Sequence, residues 1–357
     1  MNFQQSLEQD MLRSSVAATF DRDAAGRGDT ALAELGIFGL LVAEANGGLG
    51  LGLAEAVVVL QEAGRAGLAG TLAETLLLAD TIATAVPEQC EAVLAGGARV
   101  VAPLSGTLTR ANGRLRGKVT IQHPRAGDWI VVGVDDDAEI VLLPASRFEL
   151  AGRARIEAEA DACEVNVDVP VADARLVRLQ GFADRLAILR CAELLGAAEH
   201  CFTLSVGYMN ERTQFGQAIG ANQALKHIAA DTYLSLENLR VAVEYAAAAS
   251  DAADREDEEA LCAAAVKAVQ VMLAYVPNTA REIAETAIHL HGGIGLTWEY
   301  PLNVYVRRIV RLGTALGTAS AHRLALYDGF SRSSKVGGKA TPSSHLPRNG
   351  AHHDSAL

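Results

Sequence analysis

Two stretches of this chain combine residue types that could hold an anion. The first, Arg212-Thr213-Gln214-Phe215-Gly216, closes a long helical run. A guanidinium offers a planar fork of donors that matches a phosphate or pyrophosphate, Phe215 offers an apolar wall beside it, and Gly216 lets the backbone come close. The second, about eighty residues further on, is His289-Leu290-His291-Gly292-Gly293-Ile294-Gly295, where three glycines interrupt another helical run within four positions. Backbone N–H groups exposed at such a turn, beside a helix start, suit the same negative charge. By spacing alone each stretch also reads as an ordinary helix end with a turn behind it. Carboxylates that could move a proton stand at Asp184 and Glu193 on the run before Arg212, and at Glu299 beyond the glycines. Glu299 reads equally well as a helix-start residue.

The elements that must position these residues follow from periodicity. Residues 1–98 read as helices, among them one opened by Asp29-Thr30 and stopped by Gly36, and a strongly apolar one from Leu53 to Ala66. The glycine cluster Gly47-Gly48-Leu49-Gly50-Leu51-Gly52 is a turn, not a dinucleotide fingerprint: no βαβ context surrounds it and no acidic partner follows at the right distance. Residues 99–175 carry short β-rich runs at Arg99–Leu104, Leu115–Ile121, Trp129–Val134, Ile140–Leu143 and Glu164–Val169. Turns such as Asn112-Gly113 and Asp135-Asp136-Asp137 separate them, which predicts a small antiparallel sheet or barrel. Residues 176–330 return to the helical period in four long patterns, Phe182–Met209, Gln223–Ala249, Glu258–His289 and Trp298–Tyr327, as a four-helix bundle would. The expected fold class is therefore α+β, mostly α: an N-terminal helical domain, a small central β domain and a C-terminal bundle. Residues 331–357 are nearly free of apolar side chains and read as a disordered tail, and His352-His353 have no framework for a metal.

Composition removes several function classes. The chain has 357 residues, half of them hydrophobic, and a net charge of −12, so it lacks the basic footprint that nucleic acid or anionic lipid requires. The N-terminus lacks the order of a signal peptide, and no uninterrupted apolar run nears the roughly 18 residues of a membrane span. Five scattered cysteines argue against a disulfide framework or zinc site and for a cytoplasmic location, with Cys191 and Cys201 as core thiols.

Together, the two anion-suited stretches resemble the acyl-CoA dehydrogenase family, which carries an Arg-x-x-Phe-Gly turn between the first two bundle helices and a Gly-Gly-x-Gly turn before the last. Leu35 to Leu41 with Gly47 to Gly50 is similar to that family's N-terminal domain. Val165 to Pro170 with Asp173 and Leu176 is similar to the segment leaving its β domain. The resemblance implies FAD held between subunits by Arg212, Gln214, Phe215, Gly216, His289, Gly292, Gly293 and Thr318. It also implies α,β-dehydrogenation of an acyl-CoA, a homo- or hetero-tetramer, and electron-transfer flavoprotein as acceptor. His289 stands where the family usually has glutamine; an imidazole still donates one hydrogen bond.

The family's base is a glutamate before a Gly-Thr pair in the last bundle helix or, in a minority, a residue on the first. Those positions carry Leu316 and Leu186 here. Leucine cannot accept a proton, and loss of a general base commonly lowers rate by about 10²–10⁴. Asp184 and Glu193 remain as substitutes. The family's Thr-Glu-Pro segment is missing after Ala102-Pro103-Leu104-Ser105-Gly106, and Ile121-Gln122-His123-Pro124 replaces its tryptophan turn. These departures resemble the base-less chain of heteromeric acyl-CoA dehydrogenases that act on bacterial steroid side chains. The expectation is a subunit that shares FAD sites with a paralogous chain. The alternatives are a self-sufficient homotetramer with a relocated base and a non-catalytic binding subunit. The acyl substrate, fatty or steroid, stays open.

Overall fold

The computed structural model describes residues 6–22, 28–68, 70–122, 124–125, 127–134, 136–148, 151–155, 161–179, 181–256 and 258–337. The chain is mostly helical, with a small β unit between two helical ones, as the periodicity predicts. Helices α1 (Leu7–Arg22), α2 (Gly28–Glu34), α3 (Leu53–Arg65), α4 (Leu72–Ala85) and α5 (Cys90–Leu94) form the first unit. Nearly every residue of α3 from Val57 to Gly64 is buried, because the helix lies backbone against backbone on the first bundle helix. A Cβ at Gly64 would stand 2.1 Å from the Glu193 carbonyl, and one at Gly196 would stand 1.8 Å from the Gln61 carbonyl. Only glycine allows that crossing.

The central unit is a pair of sheets rather than one sheet or barrel. Its strands are β1 (Val100–Val101), β2 (Pro103–Ser105), β3 (Thr109–Ala111), β4 (Arg114–Gln122), β5 (Trp129–Val134), β6 (Asp136–Pro144), β7 (Ala151–Arg155), β8 (Asp161–Pro170) and β9 (Arg175–Arg178). One sheet runs β1-β5-β6-β9 and the other β2-β4-β8-β7, with β3 paired to β4. Their inner faces share one core, in which Leu115, Val119 and Val165 meet Ile130, Val132 and Val141. Pairing is antiparallel except between β1 and β5. Asn112-Gly113 joins β3 to β4 with φ of 51° and 70°, the geometry that this dipeptide favours. The expected turn at Asp135 to Asp137 is narrower: Asp136 already starts β6, and Asp135 lies outside the described residues.

The bundle begins with α6 (Phe182–Glu211), followed by a two-stranded hairpin of β10 (Thr213–Gln214) and β11 (Gln217–Ala218). Then come α7 (Gln223–Glu256), α8 (Glu259–His291), a 3-10 turn at Gly292–Leu296, α9 (Leu302–Ala315) and α10 (Ala319–Gly337). The sequence pattern merges the last two into one helix, Trp298–Tyr327; the chain breaks it at Gly317, whose φ of +86° no helix continues. The Thr318 hydroxyl then accepts from the Ala321 N–H at 3.2 Å and starts α10. That helix runs to Gly337, past the expected start of the tail at 331; residues 338–357 lie outside the described residues. One span, Glu259–Leu296, is long and apolar enough to cross a bilayer by length and composition, which the search for unbroken apolar runs missed. Its apolar residues, among them Met272, Val276 and Ile283, instead pack into the bundle core against α6, α7, α9 and α10.

Candidate functional site

The hairpin after α6 is built to present a ring. Arg212 ends the helix with its N–H on the Tyr208 carbonyl at 2.8 Å, and Thr213 and Gln214 pair with Ala218 and Gln217. That register leaves Phe215 and Gly216 as the turn, at φ of 50° and 80°. Glycine takes that conformation freely, whereas a bulky side chain rarely does. Phe215 nevertheless occupies it and is fully exposed, with Arg212 and Gln214 exposed beside it. Among the described residues Arg212 makes no ion pair. A strained backbone that holds an apolar ring in solvent beside an exposed guanidinium makes this hairpin a candidate binding element.

The glycine turn is tied to the end of α6 that carries the hairpin. Gly292, at φ of +64°, directs its N–H back to the His289 and Ile288 carbonyls and closes α8; Gly293 and His289 are exposed. The neighbouring His291 is buried. Its Nδ1 meets the Ala287 carbonyl at 2.7 Å, and a carbonyl only accepts, so Nδ1 carries the proton. Nε2 therefore accepts from the Tyr300 hydroxyl at 3.0 Å, and burial pushes the Tyr300 phenol up, which keeps it a donor. The imidazole stacks on Tyr208 with centroids 4.7 Å apart. Tyr208, His291 and Tyr300 thus bind the helix end under Arg212 to the glycine turn. Sequence reasoning chose His289 of the two histidines and missed His291, whose only signal was its apolar surroundings.

The two expected base positions meet elsewhere. Leu186 and Leu316 line one cleft of about 400 Å³, between the Pro103–Thr107 segment of the β unit, the start of α6 and the α9–α10 break. Asp184 lines it too, together with Arg190 and His322. His322 escaped the sequence reading: its Nε2 donates to the Leu316 carbonyl at 2.7 Å, leaving Nδ1 as the acceptor. Thr318 faces a neighbouring groove with Arg281 and Arg323. No residue of the hairpin or the glycine turn lines the cleft. Leu186 and Arg212 are 26 residues apart along α6 and just past its end, roughly 39 Å at 1.5 Å per residue.

Glu193 drops out as a base. It is buried in an ion pair with Arg308, whose Nε lies 2.7 Å from its Oε1 and whose Nη2 shares that oxygen. Arg308 also donates to the Gly67 carbonyl at 3.2 Å, so the pair joins α6 and α9 to the α3–α4 connection of the first helical unit. Glu299 is exposed in the turn before α9, away from the cleft. Cys191 and Cys201 are core thiols as expected: burial pushes both up, Cys201 to about 12, so neither is a thiolate at neutral pH.

A helical unit, a β sandwich and a bundle, with an arginine–phenylalanine hairpin and a base-position cleft, define a class. Residues 6–99 match the acyl-CoA dehydrogenase N-terminal domain and residues 179–329 the acyl-CoA dehydrogenase C-terminal domain. The chain belongs to the acyl-CoA dehydrogenase family. It is 34% identical over 291 residues to the acyl-CoA dehydrogenase IpdE2 of Mycobacterium tuberculosis, covering 77% of each chain. In fold it is similar to the steroid ACAD Tcur3481-Tcur3483, with a TM-score of 0.76 at 23% identity over 92% of this chain and 99% of the other. The ChsE4-ChsE5 complex of Mycobacterium tuberculosis gives 0.74 at 21% identity, over 96% and 100%.

Proposed function

We propose that the chain is an FAD-binding subunit of an acyl-CoA dehydrogenase that removes the α proton and β hydride of an acyl-CoA thioester, with a partner chain completing the active assembly. The observation that carries this reading is the separation along α6. The Arg212–Gly216 hairpin and the cleft with Leu186 and Leu316 are roughly 39 Å apart, beyond the reach of one extended FAD. A cofactor whose flavin sits in one chain's cleft must take its pyrophosphate contact from another chain's hairpin. Arg212 meets the anion, Phe215 covers the adjoining part of the cofactor, and the Gly292-Gly293 turn supports the hairpin through Tyr208 and His291. The residues fit FAD for a reason independent of family: the exposed ring at positive φ packs on no partner among the described residues. FAD, when bound, supplies the hydride acceptor.

The cleft is where this chain differs. Leu186 and Leu316 give it apolar walls at both positions where a carboxylate would receive the α proton, so the partner's cleft supplies that group. Electron-transfer flavoprotein as acceptor and a tetramer belong to the same proposal and rest on family membership; a cytoplasmic location rests on the five scattered cysteines. The name of the ChsE4-ChsE5 complex supports a two-chain assembly. The test is to purify the chain alone and with the product of its neighbouring gene, then measure flavin stoichiometry and acyl-CoA-dependent dye reduction. Full activity of the lone chain overturns the two-chain reading, and a colourless protein that takes up no FAD favours a non-catalytic subunit.

One observation favours a self-sufficient enzyme. Asp184 and His322 line the same cleft, and each is a proton acceptor. In that case Asp184→Asn or His322→Gln abolishes turnover of the lone chain while the flavin spectrum is unchanged.

A further inference from the structure

One charged pair at the cleft wall, of which only the arginine reaches the cleft, has no role in the chemistry above. Arg190, on α6 one turn beyond Leu186, lines the cleft, and its Nη2 donates to Glu74 Oε1 on α4 at 2.7 Å. Their side chains are 12% and 10% exposed. Glu74 does not reach the cleft itself; it stands behind the guanidinium and neutralises it. A guanidinium has five N–H donors, and Glu74 is its single partner among the described residues. The other nitrogens of Arg190 are not among the buried polar atoms that lack partners, so they keep contact with solvent, and the cleft is the space that Arg190 lines. The surrounding wall is apolar: Phe182, Ala187, Leu273 and Leu316.

We propose that Arg190, backed by Glu74, makes this cleft bind an acyl group carrying a neutral oxygen acceptor, a ketone or hydroxyl, in preference to a plain hydrocarbon chain. The proposal rests on the reading that the cleft takes acyl-CoA, and it does not depend on which chain supplies the base. A hydrocarbon that displaces water from the guanidinium leaves N–H donors without partners, whereas a carbonyl or hydroxyl oxygen satisfies them. A terminal carboxylate fits poorly for a different reason. Glu74 already balances the one positive charge, so a second anion would be buried without a counter-charge of its own.

The test compares three CoA thioesters of equal length, ending in methyl, methyl ketone and carboxylate. Their 2-enoyl forms are titrated into the FAD-loaded assembly by calorimetry, which reads binding without turnover. The expected order is ketone, then hydrocarbon, then carboxylate, with about ten- to a hundredfold between the first two. Arg190→Met with Glu74→Leu replaces the pair by apolar groups and brings the ketone-to-hydrocarbon ratio close to one. Glu74→Gln leaves the guanidinium unbalanced and tightens the carboxylate ligand tenfold or more, a charge-specific shift that loss of packing does not produce. A ketone preference that survives the double substitution overturns the proposal, as does carboxylate binding that Glu74→Gln leaves unmoved. Should Glu74→Gln fail to fold, the double variant decides alone. If no CoA thioester of any kind binds, the acyl-CoA reading itself fails, an outcome distinct from binding without selectivity.

Discussion

The two ends of α6 present opposite kinds of surface. At its C-terminal end, Arg212, Phe215 and Gly216 form an exposed hairpin with a strained backbone, tied by Tyr208 and His291 to the glycine turn. At its N-terminal end, a cleft of about 400 Å³ carries leucine at both expected base positions. In the proposed reading the surface holds a cofactor, while the pocket at the far end of the same helix lacks a carboxylate at the two expected positions. On the proposed two-chain reading the two ends would serve different copies of the cofactor, so leucine at one would not remove the purpose of the other.

The sharpest way to break this contrast is to give the cleft a base. Leu316→Glu places a carboxylate at the C-terminal end of α9, and acyl-CoA-dependent dye reduction by the FAD-loaded lone chain should rise by about 10²–10⁴. No gain would mean that the cleft has lost more than one side chain. Glu193→Gln separates a base from a brace: it leaves Arg308 buried without a counter-charge and should cost about 3–5 kcal/mol, seen as a lowered denaturant midpoint. If only turnover fell, Glu193 would return as a catalytic candidate. At the hairpin, Arg212→Gln should weaken FAD retention by about ten- to a hundredfold, read as the 450 nm absorbance left after gel filtration, with no change in unfolding. Tyr300→Phe removes the donor to His291 and should cost about 1 kcal/mol of stability, with a smaller loss of flavin than Arg212→Gln. Thr318→Ala removes a helix cap worth about 1 kcal/mol. A loss of flavin larger than that stability change would show that Thr318 also touches the cofactor.

The legible parts of this molecule were those written in local pattern. The long helices, the Asn112-Gly113 hairpin and the exposed Arg212–Gly216 segment follow from periodicity and turn chemistry within a dozen residues. The break between α9 and α10 was hidden because Leu312, Leu316 and Leu324 continue the helical spacing across it, and one glycine overrides them. The short strands β3, β7 and β9 were missed because edge strands of three to five residues carry little alternation. Long-range pairs were invisible for a simpler reason. Arg190 and Glu74 are 116 positions apart, and Glu193 and Arg308 are 115 apart; only folding brings each pair together. Glu193 looked like a spare carboxylate because its partner could not be seen.

The close crossing of α3 over α6 at Gly64 and Gly196 fixes more than a contact. It pins the middle of α6, so the helix acts as a ruler with its zero at Gly196. Inserting one residue between Gly196 and Arg212 would advance the hairpin by about 1.5 Å and turn it by about 100°, while the cleft stayed in place. The same insertion between Leu186 and Gly196 would turn the cleft wall and leave the hairpin alone. The length of α6 should therefore tolerate no single-residue insertion or deletion on either side of the crossing, even among residues that touch neither cofactor nor substrate.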